Sequence, residues 1–415
     1  MADPRVAVLV DLPREGNAGG HVKYWERVAQ AAVQKNAPLD LTIYFSGTGE
    51  DDQLSSRVRF RYLPPVFSTA NLKFLPYVPA HTDLAWHHPK LARQLSDYDV
   101  LHTTDAYFAF ARTAERVSKL RDIPLVTSLH TDTPAYAELF TRQTLRSLLG
   151  KKLGNVVDSS LAFSRHQRLS KEHRLAQHLK ACDAILAMRP EDKLFARKYV
   201  SAEKLKPMRL GVNKELFKPQ PDARAEIERT YGIAPRKCLA LFVGRVDAGK
   251  NVPLLVKAFA DALRKGVNLH LLVAGVGPLC DEVKAALGSN ATLVGLVPTE
   301  KLARLYAAAD CLCMASDIEI GGLVGVEALA SGCPVLVSQK SGVAALCGNT
   351  LAMKEVASDV TAWSENLSFF AHSAAQQAEM RQAALTFRDN AIAEWNDVLT
   401  ADFLPVWQSV KKESL

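Results

Sequence analysis

Residues 311–335, CLCMASDIEIGGLVGVEALASGCPV, change character twice. The first six read as a strand, DIEIGG as a loop and LVGVEALASG as a helix. Such a strand, turning through glycine into a helix, is the building unit of parallel sheets covered by helices on both faces. The turn also sets a chemical puzzle, because Glu319 and Glu327 stand with seven residues between them in a run that is otherwise apolar and should pack a core. The N–H groups around Gly322, Leu323 and Val324 would open the helix, and an open helix N-terminus attracts phosphate. Carboxylates beside such a site are repelled by phosphate, so Glu327 is read as accepting hydrogen bonds from ribose hydroxyls, and Glu319 from sugar hydroxyls.

The same alternation runs through the 415 residues. Strands are expected at RVAVLV, LTIYF, VRFRYL, DVLHTT, PLVTSLH and DAILAM, then at LALFVGR, LHLLVAG, ATLVGLV, CLCMAS and PVLVS. The chain is too long for one ordinary core, and periodicity breaks near GVNKELFKPQPD, Gly211 to Asp222. The expected organisation is an α/β chain of two doubly wound, Rossmann-like domains facing a cleft, residues 1–210 and 211–390. A C-terminal helix, 391–415, should pack back on the first domain, with Trp395 and Trp407 buried under it. In such sheets ligands bind beyond the carboxyl ends of the strands, so the chemistry should follow strands.

Apolar residues make up 48% and charged residues 23%, a globular composition. No apolar run reaches the roughly 18 to 20 residues of a membrane span. The opening MADPRVAVLVDLPREG reads as a first strand rather than a leader, so the cytoplasm is the expected location. Seven cysteines lie mostly in strand-like runs and read as small core residues, with no spacing that suits a metal. The net charge of +7 is concentrated: residues 142–180 hold nine Lys or Arg against Asp158 and Glu172. Leu145, Leu148, Leu149, Leu153 and Val156 form a helical stripe there with Arg142, Arg146, Lys151 and Lys152 between them. That pattern suits an interfacial helix on an anionic membrane leaflet; an amphipathic core helix is the plainer reading.

Other motifs follow strands as well. Gly16, Gly19 and Gly20 precede the first helix, where backbone can approach a ligand closely. GRVDAGKN carries Arg245, a planar fork, and Lys250, a point charge, which together suit a diphosphate. VAGVGP places Gly275 and Gly277 at a strand exit. His130 ends PLVTSLH, with Asp132 and Tyr136 behind it.

In combination, GRVDAGKN, VAGVGP and SDIEIGGLVGVEALASGCPV resemble glycosyltransferase family 4, whose signature is two glutamates separated by seven residues. SLHTDTPAY, ILAM and GVNKELFKP stand in the usual order, and the similarity is greatest to the branch that makes lipid-linked α-mannosides and glycolipids. The resemblance implies a GT-B fold and a retaining transfer from a nucleotide sugar (UDP- or GDP-linked), with no essential metal or cofactor. It implies that Arg245 and Lys250 hold the diphosphate, that Glu319 contacts the donor sugar, and that Glu327 binds ribose. His130 matches the histidine near that sugar, Gly19 and Gly20 the loop beside the diphosphate, and Val297 the position where the base edge is read. Gly275, Gly322, Leu323 and Val324 complete the donor-binding set. Ile320 and Gly321 depart from the usual residues after the first glutamate, and the segment after Gly342 lacks the usual acidic residue.

The expected reaction moves a hexose of mannose or glucose type to a lipid or lipid-linked glycan acceptor at the inner membrane face. A soluble sugar or polysaccharide is the alternative acceptor, and a nucleotide-sugar epimerase the alternative of another class. The chemistry agrees with transfer: a departing diphosphate needs cations and helix-terminal N–H groups. It does not need the two carboxylates about 5 Å apart of a retaining hydrolase.

Overall fold

The structure is a computed structural model that describes residues 3–15, 19–69, 82–319, 321–347 and 350–412. The chain forms two compact units, one made of Met1–Arg209 with Trp395–Leu415 and the other of Leu210–Glu394.

The first unit is built on an eight-stranded sheet. Its strands are β1 (Arg5–Pro13), β2 (Asp40–Ser46), β3 (Asp52–Gln53), β4 (Val58–Leu63), β5 (Val100–Thr103), β6 (Leu125–Leu129), β7 (Ala184–Ala187) and β8 (Leu205–Pro207). They lie in the order β3-β4-β2-β1-β5-β6-β7-β8, all parallel except β3. Val6 to Val10 of β1 are wholly buried. Helices cover both faces of a parallel sheet, so its central strands are continuous apolar runs rather than alternating ones.

The crossover from β6 to β7 consists of three helices, Thr133–Leu149, Lys151–Leu161 and Phe163–Ala181. The apolar stripe expected as one interfacial helix is therefore divided. Gly150 sits at φ +78 and breaks the helix, and the chain turns back so closely that a Cβ on Gly154 would lie 2.7 Å from the Leu145 carbonyl. The basic charge is also partly answered within the fold. Arg142 pairs with Glu138 and Asp158, Arg168 with Glu138 and Glu172, and Arg174 with Glu115.

The second unit carries β9 (Gly211–Val212), β10 (Cys238–Val243), β11 (Leu269–Ala274), β12 (Ala291–Gly295), β13 (Cys311–Met314), β14 (Val335–Ser338), β15 (Met353–Val356) and β16 (Ala393–Glu394). β9 and β16 pair with each other, and the other six form a parallel sheet in the order β12-β11-β10-β13-β14-β15. β10 alternates between two cores: Leu239 and Leu241 join Tyr306 and Leu329, while Cys238, Ala240 and Phe242 join Phe259 and Trp363. Cys311 and Cys313 also fill the second of these cores and Cys333 the first.

Numbered along this unit, the six strands run third, second, first, fourth, fifth, sixth. Chain direction across the sheet reverses between β10 and β13. Loops leaving the two strands at such a switch point diverge to opposite faces and open a crevice at their carboxyl ends. Lys250 follows β10 and Glu319 follows β13.

Candidate active site

In the second unit, the loop after β10 is fastened at three points. Asp247 accepts from the Lys250 N–H at 3.0 Å, capping the 3-10 turn Ala248–Lys250, and its other oxygen holds the Arg245 guanidinium at 2.9 Å. Asn251, in the left-handed region at φ +56, donates its side-chain amide to the Ala315 carbonyl at 3.1 Å. Ser316 donates to the Gly249 carbonyl at 3.2 Å. The last two bonds tie the β10 loop to the β13 loop and bring together two residues distant in sequence: the Lys250 ammonium forms an ion pair with the Glu319 carboxylate. Arg245 remains exposed beside them.

The β13 loop is fixed from its other side too. The Gly342 N–H donates to the Glu319 carbonyl at 2.9 Å, and Asp317 is held by Ser338 at 2.5 Å and by Ser358. Asp317 is thus a loop fastener. Ile320 lies outside the described residues. Gly322 then opens the Leu323–Ala330 helix at φ +57, and a Cβ there would stand 2.4 Å from Val343 Cγ2. Glycine is required on both counts. The helix start has no side-chain cap and no acidic residue in its first turn, so the N–H groups of Leu323 and Val324 lie at an uncapped positive end.

Glu327, in the second turn of that helix, accepts from the Tyr306 hydroxyl at 3.2 Å. Tyr306 is fully buried, and burial, then the adjacent Glu327 carboxylate, raises its pKa well above the ordinary value. It stays a donor and orients the Glu327 carboxylate.

Gly275 and Gly277 have a different immediate cause from ligand approach. Cβ atoms would lie 1.9 Å from the Gly244 carbonyl and 2.3 Å from the Val246 carbonyl. These glycines let the β11 exit press directly on the β10 exit that carries Arg245. Val297 is half-buried and packs its side chain on the core shared with Tyr306.

The first unit holds the other expected residues. Gly19 precedes the Gly20–Gln34 helix, and a Cβ there would meet nothing within 4 Å; Gly16 lies outside the described residues. His21, one residue into the helix, stacks on His130 with ring centroids 4.5 Å apart and planes 13° apart. Burial lowers the His21 pKa to about 3. Burial, then His21 and His102, takes His130 well below its ordinary value, so both rings are neutral near pH 7. Asp132 is engaged within the fold: it caps the Thr133–Leu149 helix and pairs with Arg189.

Asp247, Asn251, Ser316 and Tyr306 were not among the expected site residues. Asp247 had a signal, an aspartate three residues before the N–H that it caps. The other three hold the site through partners 21 to 67 positions away, which no local spacing reveals.

Two family models match nearly end to end: Glycosyltransferase Family 4 over residues 18–215 and Glycosyl transferases group 1 over residues 223–386. The sulfoquinovosyl transferase SQD2 of Arabidopsis thaliana is 26% identical over 259 residues, 61% of this chain and 46% of that protein. The chain therefore spans about half the length of that relative. Among solved structures, sucrose-phosphate synthase from Thermosynechococcus elongatus matches with a TM-score of 0.70 at 19% identity, covering 98% of each chain. Anabaena HepE in complex with UDP-glucose matches with a TM-score of 0.66 at 14% identity, covering 98% of this chain and 99% of that one. Two Rossmann-like sheets in the GT-B arrangement of strands, with both family models in chain order, lead to one conclusion: the chain belongs to glycosyltransferase family 4.

Proposed function

We propose that the protein is a retaining glycosyltransferase that takes a hexose from a nucleotide sugar and passes it to a lipid or lipid-linked acceptor at an anionic membrane surface. The observation that carries the donor half is the meeting of Lys250 and Glu319 at the switch point, beside exposed Arg245 and an uncapped helix start at Gly322.

In this reading the diphosphate leaves as the anomeric carbon gains oxocarbenium character. Lys250, Arg245 and the N–H groups of Leu323 and Val324 stabilise the charge that develops on the leaving oxygens, and no side-chain acid is required. Lys250 also turns Glu319, whose carboxylate accepts from sugar hydroxyls. Glu327, oriented by Tyr306, accepts from the ribose. By the family resemblance, His130 is assigned to a sugar hydroxyl and the Gly19–Gly20 backbone to the diphosphate.

The acceptor half rests on the three-helix crossover. Leu148, Leu149, Leu153, Val156, Leu161 and Phe163 are all exposed there, and Arg146, Lys152 and Arg165 are exposed among them. A surface that leaves this many large apolar side chains in water, edged by cations, is complementary to an anionic leaflet, with the apolar groups entering the acyl boundary. Among the described residues no helix is long and apolar enough to cross a membrane, so the contact is peripheral.

The test is to incubate the protein with a labelled nucleotide sugar and vesicles of anionic phospholipid containing extracted polar lipids. Sedimentation of the protein with the vesicles and label in the lipid phase are expected. The Arg146→Glu/Lys152→Glu/Leu153→Asp variant should bind vesicles at least about tenfold more weakly, since each cation near such a surface contributes about 1 kcal/mol. Label entering only soluble sugars, or an isomerised donor without transfer, would overturn this reading.

A further inference from the structure

Four groups in the first unit form one continuous hydrogen-bonded chain. Trp407 Nε1–H donates to His102 Nδ1 at 2.9 Å, His102 Nε2 lies 2.9 Å from Ser128 Oγ, and Ser128 Oγ lies 2.8 Å from His130 Nε2. Trp407, His102 and Ser128 are wholly buried.

The direction of the bonds follows from the first one and from the need of the buried Ser128 hydroxyl for an acceptor. Indole nitrogen can only donate, so His102 Nδ1 is bare and accepts. A neutral imidazole then carries its single proton on Nε2. Burial keeps His102 neutral, with its pKa lowered to about 3. His102 Nε2–H therefore donates to Ser128 Oγ, and the one hydroxyl proton of Ser128 goes on to His130 Nε2. That nitrogen accepts, so the proton of neutral His130 resides on Nδ1. Were Ser128 Oγ instead to accept from both imidazoles, its buried hydroxyl proton would be left without an acceptor among the described residues.

The rings are also held against rotation. His102 meets Trp25 edge-on at 5.0 Å, and Phe403 stacks on Trp407 at 5.3 Å. His130 is stacked by His21 and met edge-on by Tyr24 at 4.9 Å. His130 itself is only half-buried, whereas the three groups behind it are wholly buried.

We propose that Trp407, His102 and Ser128 are positioning residues that set the tautomer of His130, making it an Nδ1–H donor, so that it recognises an oxygen acceptor on the bound sugar rather than a hydroxyl proton. This rests on the sugar-contact reading of His130 given above. It assigns Trp407 a role that burial of a hydrophobic helix would not need, because phenylalanine would bury as well but could not polarise the chain.

The experiment is long-range proton–nitrogen correlation NMR on protein labelled with 15N-histidine, with His130 assigned from the His130→Gln spectrum. His130 of the wild type should show the Nδ1–H tautomer, which free histidine populates less. Trp407→Phe removes the donor and keeps the ring, and Ser128→Ala removes the bridge; in each, His130 should shift to a mixture of tautomers. In Trp407→Phe, kcat should fall by about two- to tenfold with the acceptor KM unchanged, a smaller loss than complete tautomer reversal gives elsewhere. A wild-type His130 protonated on Nε2, which needs no variant to observe, would overturn the proposal, as would an unchanged tautomer in both folded variants. A fully active His130→Gln protein would instead defeat the sugar-contact reading, independently of the tautomer result.

Discussion

Replacing Lys250 with alanine is expected to lower kcat/KM for transfer by about 10²- to 10³-fold, equivalent to about 2.7 to 4 kcal/mol of lost transition-state stabilisation. The loss has two sources. A cation aimed at the leaving diphosphate is removed, and Glu319, which pairs with Lys250 in the free protein, is left as an unanswered carboxylate next to developing negative charge. The pair is partly exposed, with side-chain exposures of 25% and 20%, so its contribution to folding is at most about 1 kcal/mol. The variant should therefore melt close to the wild type while failing in catalysis. Steady-state kinetics together with thermal unfolding separates the two effects. Because the residues act as a unit, Lys250→Ala and Glu319→Ala should not add in the double variant; full activity in Lys250→Ala would refute the diphosphate role.

Gly275→Ala is expected to have the largest effect on stability, about 3 to 5 kcal/mol. Gly275 sits at φ +146, and its added Cβ would lie 1.9 Å from the backbone carbonyl of Gly244. No flexible side chain can yield there, because both parties are main chain. The same exits are bonded from the Gly244 N–H to the Ala274 carbonyl at 3.0 Å and from the Gly275 N–H to the Gly295 carbonyl at 2.8 Å. Relief of the clash must break this ladder or displace the loop bearing Arg245. Gly19→Ala is the matched control: with φ at −69 and nothing within 4 Å of its Cβ, it should change stability by less than about 0.5 kcal/mol. Urea unfolding midpoints check both, and a Gly275→Ala midpoint equal to that of the wild type would contradict the packing described.

The parts of the fold that could be read from the sequence are those whose cause is local. β1, β10 and β13 are short apolar runs because both faces of the sheet are covered, and their exits carry the glycines and cations of the site. β8 and β15 were not legible: LKP and MKEV have no apolar run of their own and are strands because a neighbouring strand pairs with them. The helical stripe of residues 145–156 was legible as apolar and basic, yet not as two helices, since Gly150 can stand within a helix at a cost or end it. Which occurs depends on the close approach of Gly154 to the preceding helix.

The same division holds at the site. Arg245, Lys250, Glu319 and Glu327 declare themselves by type and spacing. The pairing of Lys250 with Glu319, the Tyr306 hydroxyl on Glu327, and the path from Trp407 to His130 are products of topology, the last joining residues 305 positions apart at one bond. Sequence spacing shows which charges are present; strand order determines which of them meet.

The central claim, that the crevice between β10 and β13 holds the diphosphate of a sugar donor, is tested most directly by thermal unfolding with UDP-, GDP- and ADP-sugars, for the wild type and for Lys250→Ala. A ligand present at a hundred times its Kd stabilises the folded state by about 2.7 kcal/mol. At least one donor should therefore raise the wild-type Tm by several degrees and leave the Tm of Lys250→Ala nearly unmoved. No shift with any of the three, or an equal shift in the variant, would contradict the claim.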